Sequence, residues 1–336
     1  MIDPSPVVDL LYAFRGSKVM FTAVRLGVFD RLQREAAGLS TLAAELKANA
    51  DALERLLDAC VGLKLLERGD DGRYSNTALA SAYLCRSTPG TLAGYVLFSD
   101  QALYPMWGQL EDAVREGGNR WRQTFQMEGN MFEHFFRDAE SMRDFLLGLH
   151  GYGVISSPRV AAAFDLSRFK KLVDLGGGSG HFAIAACEKY PKLRAVVFEL
   201  PRVIEFVKEM VALSPAADRI EAVAGDFFTE ALPKADLYSV GQILHDWSED
   251  KIERLLDKIS RRLPAGGGLL IAEKLLDPDK RGPVAGHMQS LNMLICTEGK
   301  ERTLEEYSVL LRRAGFREIR GQVTGARVDA VLAMKN

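Results

Sequence analysis

Residues 171–180 read K-L-V-D-L-G-G-G-S-G and decide the fold of this 336-residue chain. A short apolar run ends at Asp174-Leu175, and glycines fill four of the next five positions. Glycine permits the positive φ angles of a tight turn and lets a ligand approach the backbone. The following residues are typical of a helix start, whose first N–H groups face the same point. Strand, glycine loop and helix in this order predict the nucleotide-binding start of a doubly wound α/β sheet.

The glycine spacing differs from that of dinucleotide-binding proteins. Their fingerprint, G-x-G-x-x-G, would need a third glycine at position 181 if it began at Gly176, and His181 stands there. Starting at Gly177 fails as well, because Ser179 then occupies the second glycine position. A turn that binds no ligand stays open as an alternative at this point, since one glycine-rich turn is weak evidence.

The composition is that of an ordinary soluble globular protein, with 47% hydrophobic and 26% charged residues. The formal net charge of −2 gives no basic field that would attract nucleic acid. No run approaches the ~18 apolar residues of a membrane span. The four cysteines are far apart and lack the spacing of a metal site. We therefore expect a cytoplasmic protein with free thiols, no bound metal and no nucleic-acid or membrane partner.

The length suggests about two domains, and the pattern along the chain divides it into three parts. Residues 1–90 are predicted to form an N-terminal helical and winged-helix domain, because helices are followed by a turn between short strands. The second helix of this pattern carries only two basic residues, Arg55 and Lys64, so a structural role is favoured over DNA binding. The apolar helical pattern at 7–34 fits either burial within one chain or a dimer interface.

Residues 91–166 are predicted to be a helical linker region rich in aromatic side chains. Aromatic residues at helical spacing form either core or the wall of a pocket for a flat substrate, and both interpretations stay open. The aromatic set consists of Tyr95, Phe98, Tyr104, Trp107, Trp121, Phe125, Phe132, Phe135, Phe136, Phe145 and Tyr152.

Residues 167–336 alternate between strand and helix patterns. This rhythm predicts an α/β, Rossmann-like domain with a mostly parallel seven-stranded sheet. Two further strand patterns, at 317–323 and 327–334, predict a C-terminal antiparallel hairpin.

Polar side chains follow four of the predicted strands, where ligands of open α/β sheets bind. Asp174 ends the first strand, and Glu199 at the second could accept both hydroxyls of a ribose. Asp226 and Phe227 follow the third and could bind the amine and the face of an adenine. His245 follows the fourth. A lone acid at a strand end is usually a surface charge or a helix cap, but four such ends on one edge favour a binding site.

His245 is interpreted as a general base, with a helix-cap or loop histidine as the alternative. An unperturbed imidazole pKa of about 6.5 would leave much of the ring neutral at pH 7. Removing the proton of a phenol during attack typically contributes ~10²–10⁴ in rate. A carboxylate behind the ring would fix its tautomer, and Glu273 and Glu301 are the candidates.

Five motifs in fixed order now identify a family. They are D-L-G-G-G-S-G at 174–180, F-E-L-P at 198–201, G-D-F-F at 225–228, L-H-D-W at 244–247 and E-G-K-E-R-T at 298–303. With them the chain closely resembles the winged-helix S-adenosylmethionine-dependent O-methyltransferases, above all their acetylserotonin branch, over nearly its whole length.

The resemblance implies S-adenosylmethionine as methyl donor, S-adenosylhomocysteine as product, no metal, and a small acceptor with a phenolic or indolic hydroxyl. It implies a homodimer through the N-terminal helices, with residues 167–336 as the catalytic domain. It assigns His245 as the base, flanked by Glu273 and Glu301, and Asp246, Asn292 and Cys296 to the acceptor. The donor-binding residues that it implies are Asp174, Gly176, Gly178, Glu199, Leu200, Gly225, Asp226, Phe227 and Gln242.

The sequence departs from the acetylserotonin branch at three positions. That branch has Arg where Gln242 stands, Gln where Cys296 stands, and a Trp lining the donor site near Gly153. These departures leave the fold and the chemistry in place but leave the acceptor open. Two other hypotheses stay open. One is a donor-binding relative with diverged chemistry, such as a hydroxylase, decarboxylase or pseudoenzyme, and the other is a winged-helix regulator.

Overall fold

The structure, a computed structural model, describes residues 2–126 and 139–336. The described residues form two units by their contacts. One comprises the residues up to Tyr104 together with Leu147–Tyr152, and the other the described parts of Pro105–Leu146 and Gly153–Asn336. Phe132, Phe135 and Phe136 of the aromatic set lie outside the described residues.

The first unit is helical and contains one small hairpin, as the winged-helix pattern predicts. Strands β1 and β2 pair antiparallel, with Leu66 opposite Asn76. The elements are α1 (Ser5–Leu26), α2 (Val28–Leu32), α3 (Leu39–Glu45), α4 (Ala50–Gly62), β1 (Leu66–Arg68), β2 (Tyr74–Asn76), α5 (Ala78–Tyr83), α6 (Ala93–Phe98) and a π-helix (Ser99–Leu103).

Helix α1 buries only its C-terminal half. Phe21 and Val24 lie in the core of this unit. Toward the N-terminus Val7 is 72% exposed and Leu10 is 78% exposed, and Phe14 is also open to solvent. The chain therefore presents an apolar stripe on α1 that burial within the described part of one chain does not cover.

The π-helix holds a buried charge against α1. The carboxylate of Asp100 accepts hydrogen bonds from Lys18 Nζ and from the Arg25 guanidinium. Its side chain is 2% exposed, whereas those of Lys18 and Arg25 are 44% and 51% exposed. These two ion pairs, which share Asp100, connect the π-helix to α1 within the first unit.

The remaining elements alternate as the βα pattern predicts. They are α7 (Tyr104–Trp107), α8 (Leu110–Glu116), α9 (Trp121–Phe125), α10 (Ala139–Ala162), β3 (Lys171–Leu175), α11 (His181–Lys189), β4 (Arg194–Glu199), α12 (Ile204–Ala212), β5 (Ile220–Ala224), β6 (Leu237–Gly241), α13 (Glu249–Arg262), β7 (Gly268–Glu273), β8 (Leu275–Leu276), α14 (Val284–Cys296), β9 (Arg302–Thr303), α15 (Leu304–Arg313), β10 (Phe316–Gln322) and β11 (Asp329–Lys335).

Seven of these strands form one sheet, in the order β10-β11-β7-β6-β3-β4-β5. Strands β3 to β7 are parallel, and β11 is antiparallel to both β7 and β10. The mostly parallel sheet with a C-terminal antiparallel hairpin is thus confirmed. The strand order reverses beside β3, and a crevice outside the carboxyl ends of β3, β4 and β6 is the usual ligand site of such sheets.

The apolar periodicity explains how the helices cover the sheet. In α13 the buried apolar residues are Ile252, Leu255, Leu256 and Ile259, a helical spacing that gives one apolar face. These side chains pack with buried strand residues such as Val240 and Ile271. Within the described ranges, no helix has both the length and the apolar character that crossing a membrane requires.

Candidate active site

The glycine loop after β3 is shaped for close approach. Gly176 and Gly178 have φ angles of +63° and +57°, which side-chain-bearing residues rarely adopt. A Cβ on Gly176 would lie 2.7 Å from Cδ1 of Ile243 and 3.2 Å from the ring of Phe227. At Gly178 no heavy atom lies within 4 Å of the corresponding position. The loop is therefore packed on one side and open on the other.

Glu199, at the end of β4, connects this loop to the next strand end. Its Oε2 accepts a hydrogen bond from the backbone N–H of Gly178 at 3.0 Å, and its Oε1 accepts one from Leu200 at 2.8 Å. Burial raises the pKa of the Glu199 carboxyl, and the two backbone N–H groups partly oppose that shift. Each oxygen keeps a second lone pair for a further donor. The N–H of Gly225 donates to the Glu199 carbonyl at 2.9 Å, which brings the end of β5 to the same edge.

Asp174 lies within the sheet and is only 3% exposed. Its Oδ1 accepts a hydrogen bond from Ser239 Oγ at 2.6 Å, and its Oδ2 would meet a Cβ placed on Gly177 at 2.6 Å. Burial raises the pKa of Asp174 to about 7, although the Ser239 bond opposes this. The contacts of Asp174 support the loop, and Ser239 is a partner that sequence reasoning missed.

The segment after β5 forms a tight turn. Oδ1 of Asp226 accepts a hydrogen bond from the N–H of Phe228 at 2.8 Å. Lys258 on α13 donates through Nζ to the carbonyls of Phe227 at 2.8 Å and Phe228 at 3.1 Å. The lysine therefore fixes the backbone that carries the Phe227 ring beside Gly176. No local signal in the sequence marks Lys258, because the contact spans some thirty residues.

Gln242 follows β6 in a left-handed conformation, with φ +53°, which is uncommon for residues other than glycine. Its N–H donates to the carbonyl of Ala272 at 3.0 Å, at the end of β7. Strained backbone of this kind clusters at functional sites. The next residue, Ile243, packs against Gly176, so Gln242 follows β6 beside the glycine loop.

His245 sits in a short 3₁₀ turn, Leu244–Asp246, which Glu273 holds in place. Oε1 of Glu273 accepts hydrogen bonds from the N–H groups of Ile243 at 3.0 Å and Leu244 at 2.9 Å. Its Oε2 lies 3.2 Å from Nδ1 of His245, and Oε1 of Glu301 lies 2.6 Å from the same nitrogen. The structure thus brings together the three residues that the sequence suggested as base and flanking acids.

The carboxylates change the basicity of His245. Burial by itself lowers the imidazole pKa, but the charges of Glu273, Glu301 and Asp246 outweigh it and raise the pKa to about 10. Three buried acids around one imidazole therefore favour the charged ring at pH 7, in contrast to the expectation of a largely neutral ring. Since Nδ1 is engaged by Glu301, Nε2 is the nitrogen left to exchange a proton, with Asp246 Oδ1 3.7 Å away.

Two of the residues expected at the acceptor, Asn292 and Cys296, contact each other. Oδ1 of Asn292 accepts a hydrogen bond from Trp107 Nε1 at 3.0 Å and a weak one from Cys296 Sγ at 3.8 Å. Burial, followed by the charge of Asp246, raises the pKa of the Cys296 thiol to about 12. The thiol of Cys296 thus bonds Asn292 and experiences the charge of Asp246. From the sequence, Trp107 was expected only in the core or in a pocket wall.

Gly153 on α10 faces the start of α11. A Cβ on Gly153 would lie 2.3 Å from Cδ2 of His181, the residue that follows the glycine loop. Oγ of Ser157 lies 2.7 Å from Nδ1 of the same ring. The imidazole of His181 therefore fills the space beside Gly153.

Comparisons with known proteins agree with this geometry. Residues 107–317 match the family model of the O-methyltransferase domain, and residues 8–86 match that of the O-methyltransferase dimerisation domain. The acetylserotonin O-methyltransferase of Gallus gallus is 42% identical over 338 residues, covering 99% of this chain and 97% of that protein.

Solved structures resemble this fold over its whole length. The crystal structure of human N-acetylserotonin methyltransferase in complex with SAM superposes with a TM-score of 0.93 at 39% identity, covering 99% of this chain and 97% of the other. PigF with SAH gives a TM-score of 0.89 at 29% identity, covering 99% of this chain and all of the other.

Proposed function

The chain belongs to the O-methyltransferase family, and we propose that it methylates a phenolic or indolic hydroxyl of a small molecule with His245 as general base. S-adenosylmethionine is the methyl donor of this enzyme. The observation that carries the proposal is the pair of buried carboxylates at Nδ1 of His245, which leaves Nε2 free for the acceptor.

The raised basicity of His245 suits a phenolic acceptor. A phenol has a pKa of about 10, so an unperturbed imidazole would face an uphill proton transfer of roughly 3.5 pK units. Raising the imidazole pKa to about 10 removes most of that gap. Because of this raised pKa the ring must first lose its own proton. The neutral ring then takes the hydroxyl proton at Nε2 as the acceptor oxygen forms its new bond to carbon, and Glu301 stabilises the resulting imidazolium through Nδ1.

The residues at the strand ends fit the donor. When bound, S-adenosylmethionine supplies a methyl group already activated by its sulfonium, and S-adenosylhomocysteine is left after transfer. The open face at Gly178 and the spare lone pairs of Glu199 suit a ribose, and the Phe227 ring suits an adenine. We infer that Asp174, Leu200, Gly225, Asp226 and Gln242 shape this site mainly through their backbone and turn contacts.

We propose that Asp246, Asn292 and Cys296 bind the acceptor. The hydrogen bond between Cys296 and Asn292 and the proximity of Asp246 to Nε2 of His245 support this assignment. N-acetylserotonin, named for the relatives above, is the first acceptor to test. The Gln242 and Cys296 departures make other hydroxyindoles and phenols equal candidates.

We propose a homodimer that covers the apolar stripe on α1. The match of residues 8–86 to the dimerisation domain supports this, and so does the exposure of Val7, Leu10 and Phe14. Burying such side chains against a second copy stabilises association by about 25 cal/mol per Å² of apolar surface. A cytoplasmic location is proposed from the four cysteines, which are buried free thiols and would persist in a reducing compartment.

Transfer of a labelled methyl group tests the proposed function. Purified protein is incubated with labelled S-adenosylmethionine and N-acetylserotonin, 5-hydroxyindole or 2-methoxyphenol, while calorimetry measures S-adenosylhomocysteine affinity. We expect labelled O-methyl product from at least one of these acceptors. Micromolar binding with no product from a broad phenol and indole panel would instead support the diverged readings.

A further inference from the structure

The contact between Trp107 and Asn292 fixes the orientation of an amide. An indole N–H can only donate a hydrogen bond, so the Asn292 atom that faces Trp107 Nε1 at 3.0 Å must be the carbonyl oxygen. The usual ambiguity between the two ends of an asparagine amide is therefore resolved by chemistry. The NH₂ group of Asn292 points the other way.

A second donor strengthens this orientation. Cys296 lies one helical turn after Asn292 on α14 and directs its thiol to the same oxygen at 3.8 Å. Because burial holds its pKa near 12, Cys296 stays a thiol and keeps its proton at working pH. Both donors act on Oδ1 of Asn292, so a flipped amide would set its NH₂ against two donors.

The NH₂ group of Asn292 is left to bind a ligand. Among the described residues it has no hydrogen-bond partner, and the side chain is half-buried. The chain that follows α14 lies beside the turn that carries His245, because the N–H group of Glu298 donates to the carbonyl of Asp246 at 3.3 Å.

We propose that Trp107 is a positioning residue that holds Asn292 as a pure hydrogen-bond donor toward the acceptor. The inference rests on the methyltransferase function proposed above and extends it to the class of acceptor. The molecule must place a lone pair, from a phenolic, ether or carbonyl oxygen, opposite the Asn292 NH₂ group. An acceptor that presents an ammonium or N–H group there is disfavoured, because two donors would face each other.

The orientation is tested by spectroscopy that does not require turnover. The protein has three tryptophans, so ¹⁵N-indole labelling gives three signals, and Trp107→Phe assigns one of them. Asn292→Leu should shift the Trp107 signal upfield, since its hydrogen bond is lost, and leave those of Trp121 and Trp247 in place. Asn292→Asp should keep the Trp107 signal, because a carboxylate also accepts the bond. An unmoved Trp107 signal in Asn292→Leu would overturn the proposal that Trp107 orients the Asn292 amide.

The consequence for acceptors is tested by a double-mutant cycle with 5-hydroxyindole or whichever acceptor of the panel turns over. Trp107→Phe keeps an aromatic ring and should raise the acceptor KM about 3- to 10-fold, the range for one hydrogen bond. In the Asn292→Leu background the same change should alter KM less than 2-fold. An equal rise in KM in both backgrounds would show that Trp107 only lines the pocket and does not act through Asn292.

Asn292→Asp separates the two hydrogen bonds of the side chain, the one accepted from Trp107 and the one donated to the acceptor. It keeps the bond to Trp107 but has no N–H to offer, so the acceptor KM should rise at least 10-fold while S-adenosylhomocysteine affinity is unchanged. An acceptor KM within 2-fold of wild type would overturn the recognition role. Absence of turnover in the wild-type protein would reject the proposed function and the claim about acceptors, while the indole signals would still decide whether Trp107 holds Asn292.

Discussion

Nδ1 of His245 lies 2.6 Å from Oε1 of Glu301, although the two residues are 56 positions apart in the chain. Glu301 precedes β9, and its backbone N–H group donates a hydrogen bond to Oγ of Ser290 on α14 at 3.3 Å. The loop that carries the acid is thus fixed at its backbone. With Glu273 on the same nitrogen, the ring has one orientation and one reactive atom, Nε2.

Replacing His245 by Ala should lower kcat by about 10²–10⁴ and leave S-adenosylhomocysteine affinity within about 3-fold, because the base acts on the acceptor proton. Kinetics with labelled donor and calorimetry give the two numbers. His287→Ala, a histidine on α14 outside the carboxylate cluster, is the matched control and should retain turnover. Equal losses of turnover and donor affinity in His245→Ala would mean that the residue is structural.

Glu301→Gln should move the rising limb of the kcat–pH profile to lower pH. The wild-type ring has a raised pKa and acts as a base only after losing its proton, so kcat should rise with pH above neutrality. Removing one carboxylate stabilises the imidazolium less, so its pKa falls and the base form appears at lower pH. Glu305→Gln, on the exposed face of α15, should leave the limb in place. A limb that stays fixed in Glu301→Gln would contradict the electrostatic account.

Glu199→Ala should weaken S-adenosylhomocysteine binding by about 10-fold or more. Hydrogen bonds to a charged group contribute about 1.5–3 kcal/mol, and the change also removes the acceptor for the Gly178 N–H group. The pH limb set by His245 should not move. Glu205→Ala, an exposed residue on the following helix, serves as control. Unchanged affinity in calorimetry would rule out a ribose role for Glu199.

Asp100→Asn should destabilise the protein by about 1–3 kcal/mol. The change leaves Lys18 and Arg25 without their buried counter-charge, and the cost is below the 3–5 kcal/mol of a fully buried pair because both cations are about half exposed. Urea unfolding measures the difference, with the exposed Asp112→Asn expected within about 0.5 kcal/mol of wild type. Equal midpoints for the two variants would show that the ion pair contributes nothing.

Chelation should leave turnover unchanged. His245, Glu273 and Glu301 bring ligand atoms within 4.8 Å of one another, which is close enough for a cation. Nδ1 of His245, however, is already hydrogen-bonded to Glu301. A metal ion bound at Nδ1 would displace the proton of that bond, which the proposed mechanism needs. Activity after EDTA treatment and after added Zn²⁺ decides this: we expect no loss with EDTA and inhibition by excess Zn²⁺. Activity lost with EDTA and restored by a divalent cation would show a metal enzyme.

The sequence predicts the parts of this protein that depend on local pattern. The sheet follows from apolar runs such as Leu172-Val173, and the strand-end positions of Glu199 and His245 follow from where those runs stop. Helix ends are set less by local pattern: the apolar spacing predicts a helix from Asp51 to Leu66, but α4 ends at Gly62, and Lys64 turns the chain with a positive φ of 59°.

Contacts between distant segments could not be predicted in the same way. Lys258 reaches the carbonyl of Phe227, and Trp107 reaches Asn292 across 185 positions. Neither residue has a distinctive neighbourhood in the sequence. The basicity of His245 was mispredicted for the same reason, since it depends on how many acids surround the ring in three dimensions.

The packing of Gly153 on His181 makes the two positions a single mutational unit. Any side chain at 153 would overlap the imidazole, so no larger residue can be introduced there while His181 keeps its place. A larger residue at 153 therefore requires a second substitution at His181, so the effects of the two substitutions are epistatic. Replacing Gly153 alone should therefore fail even when the new side chain is as small as that of alanine.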